Sequence, residues 1–386
     1  MRYFLGFGIA LICVGIVGAC VAGPLVPDRP SSLRRDIAEA DVVVFGRFEN
    51  ARLSADGIKP GKTGFISHEV IKAHLLIKDR KVFVLPRYIP NPEKEKANLY
   101  VLFGDVQKDK LEFNKGFPAD HRAVAYVRSL MKLDAKKPVE MLRFYLDHLE
   151  DANVKIAEDA HSELRQASHE ARKEAVRTMS AKKILAWVAD PEMPQYRRHV
   201  YASLLAYCGT PNDADELFGL LSKLKDDPTI RMSTDGYYVG ILTLKPKEYF
   251  PRVKAIASDP KVRFQERYPI LKAVRSLDES KSTALTKPQI LELMTCILDQ
   301  QDMADFAIED FRKWKRWEMT DRVLKVLEKK SFQTPIIQKA VLRFALQSPQ
   351  PAAAAFVAKM RKKDREWVED TKELLDLETE YDAPPK

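Results

Sequence analysis

The hydropathy period of this chain changes once, and that change bounds its architecture. Between Asp41 and Asn114 the apolar residues fall in short runs, VVVFGRF, FISHEVIKAHLLI, KVFVLP, NLYVLFG and KLEFN, rich in Val, Ile, Phe and Tyr. From Lys136 onward such runs vanish, and amphipathic segments of about 12 to 18 residues alternate with short turns. Strands first and helices afterwards predict an α+β chain of two domains. A length of 386 residues is enough for both to bury a core.

Residues 24–135 form the first domain. In its second run Phe65, Ile71, Ala73, Leu75 and Ile77 share one face at period two, interrupted by Ser67 and Glu69. GDVQKDK is a polar turn between the fourth and fifth runs. SLRRDIAEA, before the first strand, reads as a short helix. DHRAVAYVRSLMKL, after the last, places Ala123, Val124, Val127, Leu130 and Met131 on one helical face, with Asp120 as its cap.

Five short strands flanked by helices predict a small closed or nearly closed β-barrel, and the arrangement resembles the five-stranded OB-fold. That resemblance implies binding of single-stranded nucleic acid or another anionic polymer through sheet aromatics and basic loops. Phe45, Phe48, Phe65, Phe83, Tyr88, Tyr100 and Phe103 would supply the aromatics, and Lys59, Lys62, Lys72, Lys78, Arg80 and Lys81 the charge. The simpler expectation is that the aromatics are core and the lysines solvated. Residues 24–131 carry 19 basic and 14 acidic side chains within a net charge of +9, an excess that permits attraction to anions without demanding it.

GIKPGKT, at 57–63, imitates a phosphate-gripping loop, which requires Gly-x-x-x-x-Gly-Lys-Ser/Thr running from a strand into a helix. Five residues before Gly61 stands Asp56, and the segment that follows is strand-like. The stretch reads instead as a hairpin tip around Pro60 and Gly61.

Residues 136–365 form the second domain. Its turns share a signature, Asp190-Pro191, Asp227-Pro228 and Asp259-Pro260, and TPIIQKAVLRFALQ from Thr334 is a degenerate copy. DANVKIAEDAHSEL places Asp151, Val154, Lys155, Ala157, Ala160 and Leu164 where HEAT repeats carry Asp-Pro-x-Val-Arg followed by small and large apolar residues. DPKVRFQERYPILKAV matches through Asp259, Pro260, Val262, Arg263 and Val274, and departs at Tyr268-Pro269. Asp caps a helix start, Pro is tolerated in a first turn, and Ala lets helices approach. The region thus resembles a HEAT-like α-solenoid, which implies stacked helix pairs and a concave surface for a partner protein. The stretch 364–382 holds nine acidic and two basic residues. Residues 366–386 are accordingly expected to form an acidic cap or tail, either solvated or docked on a basic patch.

Arg2 precedes an uncharged segment from Tyr3 to Pro27 with the apolar core FLGFGIALICVGIVGA, which describes a secretory signal or a retained anchor over residues 1–23. The segment ends VGAC, which resembles a bacterial lipobox and makes Cys20 the expected lipidation site; cleavage after Ala22 is the competing expectation. Either way the body is expected outside the cytoplasm, in the cell envelope or periplasm. Only Cys208 and Cys296 remain in the body, which excludes a disulfide scaffold.

No GxSxG, HExxH or zinc spacing is present, and the expectation is a non-catalytic protein without cofactor or metal. His148, His161, Asp147, Asp151, Glu158 and Asp159 lie close in sequence and are expected to make surface ion pairs and caps. FRKWKRWEM interleaves Phe311, Trp314 and Trp317 with Arg312, Lys313, Lys315 and Arg316; its spacing suits a core stripe with solvated charges. Trp314, Trp317, Arg197 and Arg198 are the candidate partner-binding residues. The leading expectation is a membrane-tethered scaffold that binds protein partners through the solenoid surface. An anion-binding module acting through the basic barrel, and a hydrolase with an unrecognised site, are the alternatives.

Overall fold

The computed structural model describes residues 32–54, 61–78, 80–90 and 99–381, the last of these to residue 378 for side chains. The chain divides into two compact units: residues up to 135 with 147–166, and residues 136–146 with 167 onward.

The first unit is built on one antiparallel sheet. Its strands are β1 (Val42–Arg52), β2 (Lys62–Lys72), β3 (Val82–Leu85), β4 (Leu99–Gln107) and β5 (Lys110–Pro118), in the order β3-β2-β1-β4-β5. Helices α1 (Leu33–Glu39), α2 (His121–Leu130) and α4 (Val154–Gln166) complete it. β1 is central, and Val42, Val43, Val44 and Phe45 are at most 1% exposed. Val42, Val44 and Phe48 face a cluster with Phe65, Phe83, Leu85, Leu102 and Phe113. Phe45, on the opposite face, packs against His121 of α2 at 5.4 Å. A strand covered on both sides need not alternate, which is why VVVF is continuous.

The sheet is not closed, so the expected barrel is corrected. β3 pairs with β2 and β5 with β4, and no ladder joins β3 to β5 among the described residues. The sheet does curl. Phe83 of β3 meets Phe113 of β5 edge-on at 5.3 Å, and Arg87 donates to the Phe113 carbonyl at 3.0 Å. β3 is only four residues long and is followed by Pro86, which has no N–H to extend a ladder.

Two further expectations fail locally. β2 ends at Lys72, so Leu75 lies in a turn, 81% exposed, although Ile77 is buried. Met131 is 46% exposed, because α2 ends at Leu130. Asp120 caps α2 as expected, accepting from the Ala123 amide at 2.9 Å. The ammonium of Lys72 caps the other end of α1, donating to the carbonyls of Ile37, Ala38 and Ala40. Thr63 follows the hairpin expected at Pro60 and Gly61 and lies in β2; Pro60 is outside the described residues.

The second unit is helical. One set of helices is α3 (Pro138–Leu146), α5 (His169–Val176), α7 (Gln195–Cys208), α10 (Asp235–Leu244), α12 (Phe264–Glu279), α14 (Ala304–Lys313), α16 (Pro335–Gln347) and α18 (Arg365–Tyr381). The other is α6 (Ala181–Ala189), α8 (Pro211–Lys223), α11 (Pro246–Ser258), α13 (Lys287–Leu298), α15 (Thr320–Lys325) and α17 (Pro351–Lys363), with the one-turn α9 (Pro228–Arg231) between α8 and α10. Within the first set α3 packs on α5, α5 on α7, α7 on α10, α10 on α12, α14 on α16 and α16 on α18. Arg275 links α12 to Asp310 of α14 at 2.7 Å. In the second set α6 packs on α8, α11 on α13 and α15 on α17, and Tyr249 of α11 bonds Asp215 of α8 at 2.7 Å.

The Asp turns act differently from expectation. Asp227 directly caps α9, but Asp190 and Asp259 end the preceding helices α6 and α11. What recurs is an Asx turn. The side chains of Asp151, Asp190, Asp227 and Asp259 each accept the amide two residues on, at 2.8 or 2.9 Å.

Candidate functional site

Cys20 and the rest of the apolar N-terminal segment lie outside the described residues. Among the described residues no helix is long and apolar enough to cross a membrane.

The sheet's aromatics are spent on the core. Phe45, Phe48, Phe65, Phe83 and Phe103 are buried and Tyr100 is half-buried; Tyr88, at 40%, is the exposed member of the expected set. Lys72 is committed to α1, and Lys59 lies outside the described residues.

Asp159 and His161 are not the surface groups expected, whereas Asp147 and Glu158 are exposed and His148 pairs with Asp151 as expected. Asp159 is 2% exposed and His161 4%. Asp159 accepts from the Leu33 amide and from the Tyr126 hydroxyl, both at 2.7 Å. Burial lifts its pKa to about 6, opposed by those two hydrogen bonds. The His148 imidazole stands edge-on to Tyr126 at 4.8 Å and 3.3 Å from Asp151, and His161 lies 3.7 Å from Glu150. Both Asp159 oxygens are used to join α1, α2 and α4. Among the described residues no group of three His, Cys, Asp or Glu side chains is arranged to hold a metal.

The candidate partner-binding residues are split between α7 and the end of α14, three helices apart in the first set. Arg197 stacks beside Tyr196, with 5.8 Å from guanidinium to ring centre, and Arg198 donates to the Pro191 carbonyl. Next to them, His199 reaches Asp235 of α10 at 3.7 Å, a carboxylate it shares with Lys272. Trp314 and Trp317 are half-buried, and Trp317 packs edge-on against Phe344 at 5.3 Å. Phe311 is fully buried, as a core stripe requires. Arg312, expected to be solvated, is 5% exposed and binds Glu309, Gln347 and Glu378 at 2.8, 2.9 and 2.8 Å. Neither body cysteine is fully buried, and burial pushes the Cys208 thiol up to about 11.

A cleft that sequence inspection missed lies across α5, α7, α10 and the end of α12. It encloses about 320 Å³ and is bounded by His169, Lys173, Tyr207, Thr243, Ser280 and Lys281, among others. The Ser168 side chain accepts the Ala171 amide and so starts α5 at His169. Tyr207 on α7 meets His169 Nδ1 at 3.1 Å. Burial lowers the His169 pKa, and the charges of Arg172 and Lys173 push the same way against Glu170. Burial raises Tyr207. The residues come from four helices spread over more than a hundred positions, so no local motif announces them. The hydroxyl-rich stretch SLDESKSTALT, at 276–286, was the available signal.

Comparison with protein-family models, with curated proteins and with solved structures gives no match.

Proposed function

We propose that the protein is a non-catalytic binding scaffold whose helical unit is a HEAT-like α-solenoid. One observation carries this reading: side-chain contacts between helices recur at nearly constant sequence separation. Tyr207 with His169, Arg263 with Asp226, Lys272 with Asp235, Tyr249 with Asp215, Arg267 with Asp302, Arg275 with Asp310, and Arg343 with Glu378 are separated by 34 to 38 residues. Each of these pairs joins neighbouring segments at a similar interval, as stacked units of comparable length would. The step is shorter than the roughly 40 to 47 residues usual in HEAT arrays, and the helices here are correspondingly short.

The same reading includes export and a lipid tether at Cys20, supported by the N-terminal segment alone. Fatty-acid labelling of the wild-type chain and of Cys20→Ser tests the tether. Burial of the sheet aromatics argues against a base-stacking platform in the first unit, and so favours protein over nucleic acid as partner.

The scaffold reading is tested by photo-crosslinkers placed in cells at Tyr196, Ile336, Leu374 and Leu377, apolar residues of the helical unit that are 50 to 63% exposed. Such side chains are the natural anchors of a protein interface. A saturable crosslink to a protein partner at one or more of these positions is expected. Crosslinks absent from all four, or rising without saturation, would remove the proposal.

A further inference from the structure

The cleft between α5, α7, α10 and α12 carries side chains that depart from what the fold alone prefers. Lys281 follows α12 with φ 50°, the left-handed region. Its amide donates to the Asp278 carbonyl, and the Ser282 amide reaches back to the Leu277 carbonyl at 3.0 Å. This closes the helix with the six-to-one bond that normally selects glycine at the left-handed position. A lysine there carries strain that glycine would relieve.

Thr243, on α10, is the second departure. Its Oγ1 is buried and has no hydrogen-bond partner among the described residues, where valine would fit without an unsatisfied hydroxyl. Outside the lining, Nε of Arg172 is likewise buried without a partner among the described residues, and Arg172 is close enough to His169 and Tyr207 for its charge to act on both. Lys173 and Lys281 line the same cleft, and Glu170 is the carboxylate among its described lining residues. Two lysines against one carboxylate among the described lining residues give the site a positive field, and the volume suits a small molecule. Positions where local rules are broken without a structural return cluster at functional sites.

We propose that this cleft binds a small oxyanion-bearing ligand, a phosphate ester or a carboxylate, with Lys173 and Lys281 taking the charge. Thr243 supplies a hydroxyl with a free donor and acceptor, and Ser276, Ser280 and Thr283 add further hydroxyls along the wall. Tyr207 and His169, bonded to each other, line the cleft, so the imidazole reports any charge that enters. This site is separate from the partner surface of the scaffold reading and stands without it.

The test uses the whole chain, with glucose 6-phosphate and citrate as probes and glucose as the uncharged control. Calorimetry and the ring resonances of His169 are followed together. Saturable binding of one or both anions, with an upward shift of the His169 titration and no response to glucose, is expected. Glucose 6-phosphate alone marks a phosphate site, and citrate alone a carboxylate site. Lys281→Gly and Thr243→Val should each weaken binding by about threefold or more, the effect of one lost polar contact. Both variants should melt no lower than the wild type, because each removes a local cost. The inference is overturned if neither anion binds at about 10 mM, a concentration that detects even millimolar sites. It is equally overturned if binding leaves His169 unmoved, or if both variants bind as the parent does.

Discussion

The phenol of Tyr126 donates to one oxygen of Asp159 at 2.7 Å while the amide of Leu33 donates to the other at the same distance. One buried carboxylate therefore holds α1 and α2 to α4. Folding raises its pKa from 3.8 to about 6, so between these values the folded unit binds a proton that the unfolded chain does not. Stability from this group is complete below about pH 4 and is lost as pH rises through about 6. A shift of this size is worth up to about 3 kcal/mol. Asparagine offers the oxygen for Leu33 and mimics the protonated acid. Asp159→Asn is expected to flatten the pH dependence of melting between pH 4 and 7, measured by the near-ultraviolet signal of the sheet unit. A profile that keeps the wild-type slope would count against it.

The acidic C-terminal helix is a docked cap. Val368 and Leu375 of α18 are buried, and Glu378 bridges Arg312 and Arg343. The docking expected from the charge pattern therefore runs to arginines of its own unit. Arg312 is 5% exposed, and removing its partner leaves a buried charge short of a counterion. Glu378→Gln should cost about 1 to 2 kcal/mol in chemical denaturation. Deletion of residues 364–386 should cost more, and part of the loss should shrink at high salt.

Gly236, at the start of α10, sits against the backbone of α7. A methyl group there would lie 1.7 Å from the His199 carbonyl oxygen, so the two helices would have to separate. Gly236→Ala is expected to destabilise the helical unit by about 3 kcal/mol or more, beyond the usual penalty of overpacking. A melting temperature within a degree of wild type would contradict the packing.

The four Asx turns predict graded effects. Asp227 both makes its turn and caps α9, whereas Asp190 and Asp259 only make turns. Asp227→Ala should cost about 1 kcal/mol, the usual value of a helix cap, and Asp190→Ala and Asp259→Ala less. Urea denaturation of the three variants would reverse this order if the aspartates served a bound ligand instead.

Much of this was legible beforehand. The period change at Lys136 separates strands from helices because side chains alternate every two residues in one and every 3.6 in the other. Ser32 and Asp120 announce α1 and α2 through local hydrogen bonds. The Asx turns of the Asp-Pro dipeptides are local as well, whereas which helix each Asp serves is not: Asp227 starts one, and Asp190 and Asp259 end theirs. Tertiary structure decided what depends on distant partners. Whether the curled sheet closes rests on Phe83, Phe113 and a four-residue edge strand, not on the alternation of any run. Arg312 reads as a surface charge until α16 and α18 supply Gln347 and Glu378. Asp159 reads as a surface carboxylate until α1 and α2 enclose it. The cleft around His169 exists only where four helices meet. Local hydrogen bonding and periodicity are properties of neighbouring residues, and burial is a property of the assembled chain.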